Sequence, residues 1–239
     1  MKQLNTNIKA EVIQCANERL ITDNSFKASK EYPANWFISL FDFLDNEQLA
    51  KHLGEEFYQT RFATALMETL GLRAGKNKGI VKLQIIAYAS ICEALLNYAI
   101  ECFYKDSFGQ QFAEVTYAQI KGALSEKTTI KYNNDNVYIC KKKSVPASAS
   151  WTSNPSKAQF AKENGILSED IADRYCGLYE LRNNAHLLKA ANASYFPKPK
   201  EAKEAYQLVY QFINEIKNCF INNNKVKSKK ENEIDAATN

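Results

Sequence analysis

The 239-residue chain, with 45% hydrophobic and 24% charged residues, is long enough to bury a sizeable core and has the balance of an ordinary globular protein, which excludes a disordered or low-complexity chain. A formal net charge of +4 permits an anionic partner without demanding one. Eight glycines and five prolines favour long regular segments, helices rather than a sandwich of short strands.

The first segment, MKQLNTNIKAEV, lacks the apolar run of a signal sequence, and a short amphipathic helix is expected from Ile8 to about Leu20. A polar stretch leads to the apolar cluster Trp36–Leu44. Asp45 is placed to cap a helix over Asn46–His52, with Gly54 as a break. Phe57, Phe62, Leu66 and Leu70 mark a further helix ending near Gly71. Residues 1–74 thus read as an N-terminal helical part. His52 reads as a surface histidine near a helix end, the alternative being a second catalytic histidine. The basic turn GLRAGKNKG (Gly71–Gly79) lacks P-loop spacing and is either a solvated connector or a phosphate contact.

Ile80–Tyr104 is the strongest helical pattern, with Leu83, Ile86, Ala87, Ile91, Ala94, Leu95 and Tyr98 making a broad apolar surface. Gln84, Ser90, Glu93 and Asn97 would be costly in lipid, so the run reads as a buried core helix with no membrane contact. An acidic residue in such a helix needs a partner. Glu93 either meets Arg182 or faces solvent or a surface lysine.

A helical stretch is expected from Gln111 to Leu124. Thr128–Tyr132 and Val137–Cys140 flank the turn-forming Asn133–Asn136, which predicts a β-hairpin inserted near 127–143. Lys141, Lys142 and Lys143 follow. With Tyr132 and Tyr138 they either line RNA, amines on phosphates and rings on bases, or form a solvated run on a docked hairpin. Ser144–Ser156 reads as a loop anchored by Trp151, and Pro155 opens a short helix that Asn164-Gly165 stops.

Ser168 is placed as the N-cap of the next helix, with Glu169 and Asp170 in its first turn. Ile171, Leu178, Leu181, Ala185 and Leu188 carry the helical pattern, and Tyr175–Ala190 holds one of the two histidines. Residues four apart share a helix face, so Arg182 and His186 point at one spot, with Tyr179 and Asn183 adjoining. A fixed cation beside a titratable imidazole is the minimum equipment for cutting a phosphodiester. The alternative is that both hydrogen-bond neighbouring carbonyls or Glu93. A last helix is expected over about Glu201–Asn222, with residues 225–239 a disordered tail. The six cysteines sit singly with no CxxC pair, so they read as reduced thiols of a cytoplasmic chain, and neither metal nor cofactor is expected.

The run Leu181-Arg182-Asn183-Asn184-Ala185-His186 resembles the signature of the HEPN superfamily, and Ser90–Leu96 resembles its early glutamate-bearing helix. Three residues separate Arg182 from His186, fewer than is usual in that family. The resemblance implies a mainly α fold, a helical bundle over residues 75–224 carrying the small hairpin. It implies a metal-independent endoribonuclease of a bacterial defence or toxin–antitoxin system, in which a homodimer pairs two Arg182/His186 sets in one cleft. Arg182 would grip the scissile phosphate, His186 would move the proton for 2′-hydroxyl attack, Asn183 would orient them and Tyr179 would stack on a base. RNA would be the substrate, with an antitoxin or defence protein as a further partner. The alternative is a non-catalytic HEPN-like binding or scaffolding module.

Overall fold

In the computed structural model the described residues are 6–23, 33–72, 78–120, 130–133, 135–185 and 196–238. They are mainly helical, with two small antiparallel strand pairs. The helices are α1 (Thr6–Asp23), α2 (Pro33–Ser39), α3 (Glu47–Thr69), α4 (Lys78–Phe103), α5 (Lys105–Gln111), α6 (Asn154–Glu163), α7 (Glu169–Asn184) and α8 (Pro199–Thr238). The strands are β1 (Glu114–Gln119), β2 (Ile130–Tyr132), β3 (Asp135–Val137) and β4 (Cys140–Val145).

The chain divides into two compact units, one of residues 1–99 with 154–239 and one of residues 100–153. The expected boundary near residue 74 is therefore not where the chain divides. α1, α2 and α3 belong to the same unit as α6, α7 and α8, because the aromatic residues of α2 and α3 fill its core. Phe57 of α3 meets Phe37 of α2, Tyr88 of α4, and Tyr206 and Tyr210 of α8, with ring centroids 5.2 to 6.0 Å apart. α4 is the axis of this core, burying Val81, Ile85, Tyr88, Ile91, Cys92, Leu95, Leu96 and Ala99. It is long and apolar enough to cross a membrane, but 56% of its most apolar window is buried inside the protein, as suits a core helix.

Gly54 does not break a helix; α3 runs through it. A Cβ there would lie 2.4 Å from the Ile38 Cα, so glycine is what lets α2 lie against α3. The cap of α3 is Asn46 rather than Asp45: its Oδ1 accepts from the Leu49 N–H at 3.0 Å. The helix ends where Gly71 turns with φ +65. Gly165 turns in the same way after α6, as expected. α8 continues to Thr238, through residues expected to be disordered. That stretch is rich in lysine, glutamate and alanine, which favour helix even where little apolar surface asks to be buried.

In the second unit, the helix expected over Gln111–Leu124 ends at Gln111, and β1 replaces it. Val115, Thr116 and Tyr117 are strand formers, and they find a partner strand in β4, with Glu114 opposite Val145 and Gln119 opposite Cys140. β2 and β3 form the expected hairpin, with Asn133 in the left-handed region at φ 50. The second hairpin strand falls at Asp135–Val137 rather than at Val137–Cys140, and the lysine run lies in β4 rather than beyond the sheet. Trp151 is 90% exposed rather than buried as an anchor, and Ala149 is the buried residue of its loop.

Candidate functional site

α7 begins as the sequence indicates. The Ser168 Oγ accepts from the Ile171 N–H at 3.5 Å. Glu215 of α8 in turn accepts from the Ser168 N–H at 2.7 Å and from its hydroxyl at 2.6 Å, which fixes the start of α7 to α8. The last residue of α7 is Asn184, with Ala185 as C-cap. His186 lies outside the described residues, as do residues 73–77 of the basic turn.

Arg182, in the last turn of α7, reaches the Glu93 side chain of α4, with Nη1 3.7 Å from Oε2. Its guanidinium also lies 5.1 Å from the centroid of the Tyr179 ring. The pairing of Glu93 with Arg182 is therefore present, and the ring expected to stack on a base carries the guanidinium. Arg182 is 26% exposed and Asn183 is half-buried beside it. His52 lies exposed on α3.

The other oxygen of Glu93 is taken by a residue the sequence pattern does not single out. Lys157 of α6 is only 1% exposed, with Nζ 3.3 Å from Glu93 Oε1. The same amine donates to Asn97 Oδ1 at 2.8 Å. A neighbouring buried pair closes the cluster, the Tyr175 hydroxyl donating to Asn154 Oδ1 at 2.7 Å. The signal was the face formed by Asn154, Lys157, Ala158 and Ala161, all buried at helical spacing, with a lysine among the small residues.

The electrostatics are lopsided. Two cations face one carboxylate, and among the described residues neither Lys157 nor Arg182 has a second acidic partner. Burial outweighs the pull of Glu93 and, with Arg182 pushing the same way, holds Lys157 below the usual lysine range. Burial, then the negative charge of Glu93, drives the Tyr175 hydroxyl well above the usual tyrosine range, so it serves as a neutral donor. The cluster thus presents a partly exposed guanidinium, preoriented by Glu93 and backed by a buried ammonium.

Lys141, Lys142 and Lys143 lie apart from this cluster in sequence, on β4 of the second unit, and all three are exposed. Paired residues share a face, so Lys142 stands beside Tyr117, while Lys141 and Lys143 share the other face with Ala118 and Thr116. Tyr117, Tyr132 and Tyr138 are exposed as well. Among the described residues no group of histidine, cysteine, aspartate and glutamate is arranged to hold a metal. No family model, curated protein or solved structure matches the chain.

Proposed function

We propose that the C-terminal end of α7 is an RNA phosphate site, and that the chain is a metal-independent endoribonuclease of the HEPN type. The observation that supports this reading is the cation surplus around Glu93. A phosphate beside Arg182 would restore the balance that one carboxylate cannot give two cations. Glu93 holds Arg182 in one orientation before substrate arrives, so little reorganisation is needed as charge builds on the phosphate. His186, two residues beyond the end of α7, supplies the general acid or base for attack by the neighbouring 2′-hydroxyl, and Asn183 is its polar companion. A second copy of the chain would double the set in one cleft, and a defence or antitoxin protein would regulate it in the cytoplasm.

A second reading is favoured by the engagement of Arg182 with both Glu93 and Tyr179. In that reading the guanidinium is a structural tie, and the chain is a non-catalytic helical binding module. Incubation of the purified protein with total RNA in EDTA separates the two. The nuclease reading expects cleavage to cyclic phosphate or 3′-phosphate ends, lost in His186→Ala and in Arg182→Ala while each variant keeps the wild-type helical circular dichroism. RNA left intact by the wild type sinks the nuclease and leaves the binding module.

A further inference from the structure

The first half of α4 borders a second feature that the nuclease reading does not use. A cavity of about 480 Å³ lies between α3, α4 and the start of α8, lined by Arg61, Thr64, Gln84, Tyr88, Lys203 and Tyr206. Two of its polar atoms are buried without a well-formed hydrogen bond, the Arg61 Nε and the Tyr88 hydroxyl, though the Arg61 guanidinium lies close enough to the Tyr88 hydroxyl to pull on it. Tyr88 as a whole has no exposed surface. Such atoms are rare in folded proteins because each forfeits its bond to water, and a charged donor forfeits most.

The surroundings specify what is missing. Arg61 pairs with no carboxylate among the described residues; its guanidinium lies 4.1 Å from the centroid of the Tyr206 ring. That ring faces the cation without supplying an acceptor in the plane of the guanidinium, where its N–H groups point. The Tyr206 hydroxyl is spent on the Tyr210 hydroxyl at 3.2 Å. Gln84 donates to the Thr64 hydroxyl. Glu68, the carboxylate at the rim, is held by Arg19 at 3.0 Å. Lys203 stands exposed at the rim with no partner among the described residues. The rest of the lining is apolar, with Met67, Val81 and Ala202 among it. The lining therefore combines an apolar wall with a cation that meets no carboxylate among the described residues and another cation at the edge. Its volume suits a small organic molecule and far exceeds that of one water.

We propose that this cavity is a binding site for a small organic anion, whose carboxylate or phosphate oxygens face the Arg61 guanidinium, beside the Tyr88 hydroxyl, while its apolar body lies against Met67, Val81 and Ala202. None of these residues belongs to the Arg182 cluster, so this site stands or falls apart from the nuclease reading.

Calorimetric titration and thermal unfolding of the full chain test it, with benzoate, phenyl phosphate and uncharged benzyl alcohol as probes. At least one charged probe is expected to bind saturably and raise the melting temperature, with benzyl alcohol inert; which one binds tells carboxylate from phosphate. Arg61→Gln is expected to abolish the binding. Tyr88→Phe removes a hydroxyl that makes no well-formed hydrogen bond in the free protein, so it should melt no lower than wild type yet bind about tenfold more weakly. Absence of saturable binding by folded wild type overturns the proposal, as does unchanged affinity in both variants.

Discussion

α4 carries two polar clusters about two turns apart, and they are completed in opposite ways. Around Glu93 and Asn97, the buried Lys157 ammonium finds a carboxylate oxygen and an amide oxygen within the fold. Around Gln84 and Tyr88, a hydroxyl and a guanidinium nitrogen have only each other at hand and make no well-formed hydrogen bond. The first arrangement is what a chain builds when a buried charge must survive folding unaided. The second leaves a debt, in lost hydrogen bonds, that something from outside would cancel. Their difference teaches that one helix can serve as both a structural spine and the wall of a receptive cavity, depending on whether its polar residues face other side chains or space.

Substitutions sharpen the contrast. Glu93→Leu should cause the largest loss, about 4 kcal/mol, because it strands a buried ammonium beside the like charge of Arg182. Urea unfolding would measure it, and a loss below that of an ordinary surface change would show that the cluster is not a structural tie. Lys157→Met should cost less, about 1 kcal/mol, since methionine keeps the apolar stem, relieves the desolvation and leaves Glu93 its second cation. In the unsatisfied cluster, Tyr88→Phe should move stability by about 1 kcal/mol or less, and upward. A clear destabilisation there would mean that the hydroxyl is bonded within the fold after all.

Alkaline titration gives the smallest signal of stability at neutral pH and the widest spread at high pH. Burial pushes Tyr88 up to about 12, against the opposing pull of Arg61, from an ordinary 10.0. Tyr175 and Tyr210 are pushed higher still, by burial first. For groups raised on folding, the stabilisation is complete below the unfolded value of 10.0 and is lost as pH climbs through the folded values. Lys157, held below its ordinary 10.5, acts in the reverse sense and gains stability as pH rises towards that value. Three tyrosines outweigh one lysine, so unfolding midpoints should fall from about pH 10 upward, with the tyrosinate absorbance of these residues appearing only as the chain unfolds. Tyrosinate forming fully before unfolding would contradict the burial of these hydroxyls.

Much of the helical framework was legible because it is written in local pattern. The apolar period of α4, the Ser168 cap and the Gly71 and Gly165 stops need only neighbouring residues to be read. The Glu93–Arg182 pair was legible for a different reason: a charge on an apolar rod asks for its opposite, and few candidates lay near the motif. Lys157 escaped because a lysine reads as solvated unless the whole helix face around it is seen to be small and buried. β1 escaped because its partner, β4, is more than twenty residues away, and strand pairing at that range leaves little local trace. Gly54 looked like a break because only the packed α2 backbone reveals a close crossing. The Arg61–Tyr88 pair joins α3 to α4 through space, and no spacing rule predicts an absent acceptor.

The grip of Glu215 on Ser168 has a mechanical consequence. It bolts one end of a 16-residue rod to α8, whereas among the described residues the opposite end is tied to α4 through the Arg182–Glu93 pair. A tilt of α7 about that bolt would work against the Tyr175–Asn154 hydrogen bond midway along the rod. With a lever of about 24 Å, a swing of about 5° carries the tip by about 2 Å, enough to part Arg182 from its acid. The motion would concentrate where the guanidinium sits and vanish at the other end.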